Sequence, residues 1–234
     1  STLSQDETNE TSSANFINRV TLSTDLPHAS HAEPHLSINP NDSDELLLGS
    51  IVLPDSAMHR VDVFTSKDLG KTWTREKLPT VDSLSTIDPW TSFDRDGNFF
   101  VSLLTPTTFA KNNQFIGFKL FRKGDTQAHW KKSYTHVLQR GNGGSFDQPK
   151  LTIDKSLNSE FTNRLYMSSN RWARPTKLKN SSKAIAFLHS EDSGNSFSEM
   201  KYVAENNFRK QSLNTVVLSD GTIIGGFYNY MTAE

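Results

Sequence analysis

"TSKDLGKTW", residues 65–73, returns in altered form as "SEDSGNSF" at 190–197. Both copies set Ser, Asp and Gly at alternate positions and close on an aromatic three residues after the Gly. The first holds Ser66, Asp68, Gly70 and Trp73, and the second Ser190, Asp192, Gly194 and Phe197. Midway, "KGDTQAHW" (123–130) keeps Asp125 and Trp130 and lacks the Ser and Gly. The closing aromatics are 57 and 67 residues apart, a period that suits a supersecondary unit. Ser and Asp side chains can accept backbone N–H groups of a turn, and Gly relieves the φ constraint. The aromatic is expected to pack between sheets, with truncation of Trp73 to Ala costing about 3–5 kcal/mol. The motif therefore reads as a fold signature and not as an active site.

The flanks keep the same phase. Ahead of each aromatic lies a strand pattern: "EPHLSINP" (33–40), "DPWTSFDRDG" (88–97) and "DQPKLTID" (147–154), with a fourth at 212–221, "SLNTVVLSDG". Each is followed by a second β-rich run, and Asp96-Gly97 and Asp220-Gly221 supply hairpin turns between the two. A third run precedes each motif and a fourth follows it, while no helical periodicity lasts three turns. Four short antiparallel strands at this period are the blades of a β-propeller, so the expected class is all-β. The first blade is expected at about 30–80, the second at 85–139, the third at 145–204 and the start of a fourth at 210–230. Residues 1–15, "STLSQDETNETSSAN", form a polar tract expected to be disordered. The strand-like "FINRVTLS" (16–23) would begin the propeller portion, 16–234.

A formal net charge of −1 gives no electrostatic support to a nucleic-acid or membrane role. The absence of Cys excludes disulfides and thiolate chemistry. No apolar run approaches the roughly 20 residues that a membrane-spanning helix needs. "DRDGN" (94–98) has part of a calcium-loop pattern, lacks the closing Glu and reads as a hairpin turn. No metal or other cofactor is expected.

"SKDLGKTW" and "SEDSGNSF" resemble the Asp-box, or BNR, repeat of the sialidase superfamily, and the likeness extends over roughly residues 30 to 230. That resemblance implies a six-bladed parent of which this chain covers about three and a half blades, with the other half as a partner. A four-bladed ring closed by the N-terminal strand is the rival. It also implies an extracellular or periplasmic setting and a carbohydrate ligand, or a protein partner, at the central-channel face. Sialidases carry Arg-Ile-Pro at the start of the first blade, whereas this chain has Glu33-Pro34. A carboxylate there repels the carboxylate of a sialic acid. Catalysis is not supported by the residues present, and an exo-sialidase-like glycoside hydrolase is the alternative.

Strands in a blade alternate direction, so the entries to the innermost strands share a face with the second-to-third-strand connections. Glu33, Asp88 and Asp147 are read as equivalent residues converging on the channel, either capping strand starts or forming an acid–base pair or a cation site. His35, Trp90 and Lys150 join them as candidate ligand contacts. Arg171, Trp172 and Arg174 would clamp an acidic sugar, or else solvate a loop and cover a blade edge.

Overall fold

The computed structural model describes residues 20–26, 28–54, 58–79, 85–106, 115–139, 145–172, 183–206 and 209–230. The tract at 1–15, Arg174 and the side chain of Trp172 lie outside the described residues. So does most of the strand expected at 16–23, whose described part, 20–23, carries no strand.

Three four-stranded antiparallel sheets follow one another along the chain. The first comprises β1 (Ser30–Ile38), β2 (Leu46–Leu53), β3 (Arg60–Ser66) and β4 (Thr74–Glu76). The second comprises β5 (Ile87–Phe93), β6 (Phe99–Pro106), β7 (Phe115–Lys123) and β8 (Lys131–Gln139). The third comprises β9 (Ser145–Ile153), β10 (Leu165–Trp172), β11 (Lys183–Ser190) and β12 (Lys201–Asn206). A two-stranded fourth sheet pairs β13 (Arg209–Val217) with β14 (Ile223–Tyr230). Within each sheet the strands pair in sequence order, and the first strands β1, β5, β9 and β13 adjoin one another across sheets. This is a propeller arrangement of antiparallel blades with no helix among the described residues.

Period-two alternation explains why the blades stack. In β6, Phe99, Val101 and Leu103 join a cluster with Leu47, Val61 and Val63 of the first blade. Phe100 and Leu104 of the same strand join a second cluster with Leu151, Leu165 and Met167 of the third. A strand apolar on both faces must be covered twice, which a radial stack of sheets achieves.

The two Ser–Asp–Gly turns lock the first and third blades internally. Ser66 Oγ donates to Asp68 Oδ1 at 2.8 Å and accepts Gly70 N–H at 2.9 Å, while Asp68 Oδ1 accepts Thr72 N–H at 2.8 Å. Ser190, Asp192, Gly194 and Ser196 repeat the pattern at 2.8, 2.9 and 2.9 Å. The Thr72 hydroxyl and N–H hold the Asp68 carboxyl down at about 2, well below its ordinary value. Gly194 adds an inter-blade constraint: at φ +83°, a Cβ there would collide with Leu120 of the second blade.

The expectation for Trp73 needs correction. The closing aromatics of the second and third blades pack against the preceding blade: Trp130 on the Leu47, Val61 and Val63 cluster, Phe197 on Tyr134 with ring centres 4.6 Å apart. Trp73 belongs to the first blade, and no blade precedes it among the described residues. Its indole is half-buried, lies over its own Gly70 and donates Nε1–H to the Gly70 carbonyl at 2.9 Å. The eroded copy, Trp130, is the one sealed in the core, at 4 % exposure. Its Nε1–H donates to Glu76 Oε2 at 3.1 Å, and Glu76 Oε1 takes Lys123 Nζ at 2.7 Å and Thr65 Oγ1 at 2.9 Å.

Candidate functional site

Each innermost strand breaks register at the same level: between Ala32 and His35, Ile87 and Trp90, Asp147 and Lys150, and Ser212 and Thr215. In the first three, one residue of the bulge turns to positive φ: Glu33 at 50°, Asp88 at 51° and Gln148 at 50°. Each of these precedes a proline, Pro34, Pro89 or Pro149, a setting that ordinarily drives a residue to extended backbone. Side chains with a Cβ rarely hold this conformation, and such backbone persists only where its surroundings over-determine it. The bulge re-aims its side chain away from the regular pleat.

This register corrects the equivalence read from the sequence. Gln148 occupies the level of Glu33 and Asp88, and Asp147 matches Ala32 and Ile87 one residue earlier. Gln148 was missed because the pattern was anchored on acidic residues. The Glu-Pro, Asp-Pro and Gln-Pro dipeptides were the better signal.

The three carboxyls nevertheless meet, through Asp88. Burial pushes the Asp88 carboxyl up to about 6 and the neighbouring Glu33 carboxyl adds to the rise, while the Gln148 N–H and a bond to Asp147 oppose it. The Gln148 N–H donates to Asp88 Oδ2 at 3.0 Å, which fixes that oxygen. Gln211 of the fourth blade bonds the Gln148 side chain at 3.4 Å, and Tyr228 donates to Gln211 at 2.9 Å. All four blades thus contribute to one polar cluster.

Beside it stands a stack. The His35 ring lies 3.7 Å from the Trp90 ring, centre to centre, and Lys150 Nζ sits 5.0 Å from the Trp90 ring centre. His35 Nδ1 accepts the Thr91 N–H at 3.1 Å, so that nitrogen carries no proton and the neutral ring carries its hydrogen on Nε2. Burial, with help from the Lys150 charge, lowers the His35 pKa to about 4. Burial likewise lowers that of Lys150, against the pull of Asp147. Glu33, Asp88, Gln148, His35, Trp90 and Lys150 line a cavity of about 170 Å³. His35 and Trp90 also border a larger hollow of about 590 Å³ along the inner strands, walled by Ser37, Thr152 and Thr215 among others.

Arg171 is not part of this group. Its guanidinium lies 4.3 Å from the Tyr202 ring, on the outermost strand of its own blade. The acidic-sugar clamp therefore loses its first arginine. Asp94, from the calcium-like stretch, accepts the N–H groups of Asp96 and Asn98 at 3.0 and 2.8 Å and closes its own hairpin turn. Among the described residues no three His, Asp or Glu side chains are placed to hold a metal ion.

The raised Asp88 pKa makes a stability statement. The folded chain binds the proton more tightly than the unfolded chain, with values of about 6 against 3.8. Its contribution is fully present below pH 3.8 and is lost as pH rises through 6. Asp88→Asn removes the charge. Urea unfolding is therefore expected to find this variant more stable than the parent at pH 7.5, with the gap closing by pH 4.

No family model and no curated protein matches the chain. Solved structures do. The α-L-arabinanase of Penicillium chrysogenum, complexed with arabinobiose, matches with a TM-score of 0.56 at 14% identity over 85% of this chain and 62% of its own. The GH93 α-L-arabinofuranosidase of Fusarium graminearum, also with arabinobiose, matches with a TM-score of 0.52 at 12% identity over 78% and 51%. An endo-arabinase from Bacteroides thetaiotaomicron gives 0.55 at 10% identity over 89% and 74%. What the chain shares with them is the fold, a β-propeller. The chain spans only about half to three-fifths of the length of the first two of these enzymes.

The arrangement has three chemical capacities. Its clustered carboxyls hold a proton near neutrality, its carboxyl and amide groups suit sugar hydroxyls, and the His35–Trp90 stack offers an apolar ring face.

Proposed function

We propose that the central face recognises a neutral glycan, the Asp88 cluster bonding sugar hydroxyls while the Trp90 stack covers a sugar face. The observation that carries this reading is the meeting of Glu33 and Asp147 at Asp88, with Glu33 and Asp88 lining one small cavity and Lys150 as the nearby cation. Such an excess of carboxyls disfavours an acidic sugar. Glycoside hydrolase propellers bound to arabinobiose support a carbohydrate ligand, and pentose oligosaccharides are the first to test. The finer reading is a secreted, sialidase-like Asp-box propeller whose whole ring has six blades, three and a half of them in this chain. The repeated Ser–Asp–Gly turns support that assignment. Protein recognition by the same loops would need no carboxyl cavity.

Hydrolysis is a second reading, favoured by a carboxylic acid that holds its proton to about pH 6. Glu33 neighbours Asp88 and raises its pKa, whereas a catalytic pair across a glycosidic bond stands roughly 5–10 Å apart. In this reading burial raises the Asp88 pKa and Glu33 adds to the rise, and a second carboxylate or Tyr completes the site.

Calorimetric titration of the full chain with arabinobiose, neutral disaccharides and sialyllactose tests recognition. A neutral sugar is expected to bind at least tenfold more tightly than the sialoside, a difference of about 1.4 kcal/mol. Preference for the sialoside, or silence across the neutral set, would overturn it.

A further inference from the structure

We infer that Lys150 captures a small hydroxyaldehyde as a Schiff base in the cavity it shares with Asp88 and Glu33. The open-chain form of a reducing sugar is one source of that aldehyde; a shorter, free hydroxyaldehyde is the other. The inference shares its cavity with the glycan reading and does not depend on it.

The fold delivers the amine to this place. Lys150 is the first paired residue beyond the bulge of β9, the position that His35 and Trp90 hold in the first two blades. It is 9% exposed, and its Nζ lies over the Trp90 ring, 5.0 Å from the centre. Lys123 is as buried, at 8%, and serves structure: Glu76 holds its Nζ in an ion pair at 2.7 Å. Lys150 instead lines a cavity together with Glu33, Asp88 and Gln148. A lysine attacks carbonyl carbon only as the neutral amine, and burial favours that form. Burial does lower the Lys150 pKa, against the pull of Asp147. The cavity holds about 170 Å³, below the roughly 300 Å³ where sites for drug-sized ligands begin, so its occupant is no larger than one sugar unit. The carboxyl and amide groups of Glu33 and Gln148 suit hydroxyls on that occupant.

Schiff-base formation also needs an acid, and Asp88 keeps its proton to about pH 6. The nitrogen lone pair of Lys150 adds to the aldehyde carbon, and a proton passes from nitrogen to the new alkoxide, giving a carbinolamine. Asp88 then protonates the hydroxyl. The C–O bond breaks, water leaves, and the nitrogen pair closes the C=N bond of a protonated imine. Its positive charge remains on the indole face and beside the carboxylate that Asp88 has become.

Incubating the full chain at pH 6.5 with cyanoborohydride and either glycolaldehyde or arabinose, then mapping its peptides by mass, tests the inference. Hydride reduces the iminium to a secondary amine and so marks the lysine that formed it. Label is expected on Lys150 about tenfold faster than on the exposed Lys67 and Lys131. Label from both aldehydes makes the open-chain sugar the ligand, and label from glycolaldehyde alone makes it the shorter compound. Lys150→Arg keeps a cation over Trp90 and is expected to abolish the fast label. Asp88→Asn is expected to slow it roughly 10²-fold while the exposed lysines react as before. Faster label on the exposed lysines, in a chain shown to be folded by its near-ultraviolet spectrum, would overturn the inference. A Lys150 rate unmoved by Asp88→Asn would overturn the pairing of amine and acid. Methyl arabinoside has no aldehyde to offer. Its binding by calorimetry, with Lys150 unlabelled, would sink the Schiff base and leave the glycan reading standing.

Discussion

Replacing Trp130 by Ala is expected to cost the fold about 3–5 kcal/mol, whereas the same change at Trp73 costs less than half of that. Trp130 is 4% exposed and bridges two blades; Trp73 is half-buried over its own turn. Truncating Trp130 leaves a hole among Phe99, Val63 and Leu47 and takes one donor from Glu76. Lys123 lies 4.6 Å from the Phe99 ring and would lose its contact with the indole face. Urea unfolding of the two variants checks the order, and equal losses would refute the account of inter-blade packing. The same junction carries an acid dependence. Burial pushes the Glu76 pKa up, but the bonds from Lys123, Thr65 and Trp130 outweigh it and leave the value lowered. The stability this adds is present above the ordinary carboxyl range and is lost as pH falls through the depressed value.

Asp88→Asn is the second large effect, and it divides recognition from hydrolysis. An amide cannot deliver a proton to a leaving group, so any glycosidase activity is expected to fall by roughly 10²–10⁴-fold. In the parent chain that activity should decline as pH rises through about 6, as the Asp88 proton is lost. Sugar binding should persist in the variant, since the amide still bonds hydroxyls, and should lose its pH dependence. Assays of aryl glycoside turnover and calorimetry at pH 5, 6 and 8 separate the two. Unchanged turnover in the variant would remove Asp88 from the chemistry and return the proton to a structural role.

The blades were legible because two short motifs kept phase with four alternating runs, and period-two patterning survives in a strand whatever its surroundings. Burial of the motif aromatics was not legible. The sequence of Trp73 and its turn is the better-formed copy, yet burial depends on a neighbouring blade and not on the turn. The site was half legible for a similar reason. Glu33, Asp88 and Asp147 stand out in the sequence as acidic residues at strand entries, and the other two neighbour Asp88. Their register was misread because the bulge counts residues from Pro, so Gln148 holds the place assigned to Asp147. Arg171 shows the limit of proximity along the chain: it pairs opposite Phe146, one residue from Asp147, yet its side chain goes to Tyr202. The His35–Trp90 stack joins residues 55 apart on different blades; each follows a strand-entry proline, a pattern that sets them at one level and does not tell that their rings touch.

Carboxyl-carbon NMR of Asp88, followed from pH 3 to 8 with and without arabinobiose, tests the central claim most directly. The Asp88 signal is expected to titrate near pH 6 and to move when the sugar is added. A carboxyl that titrates near 4 and ignores every neutral sugar would contradict it.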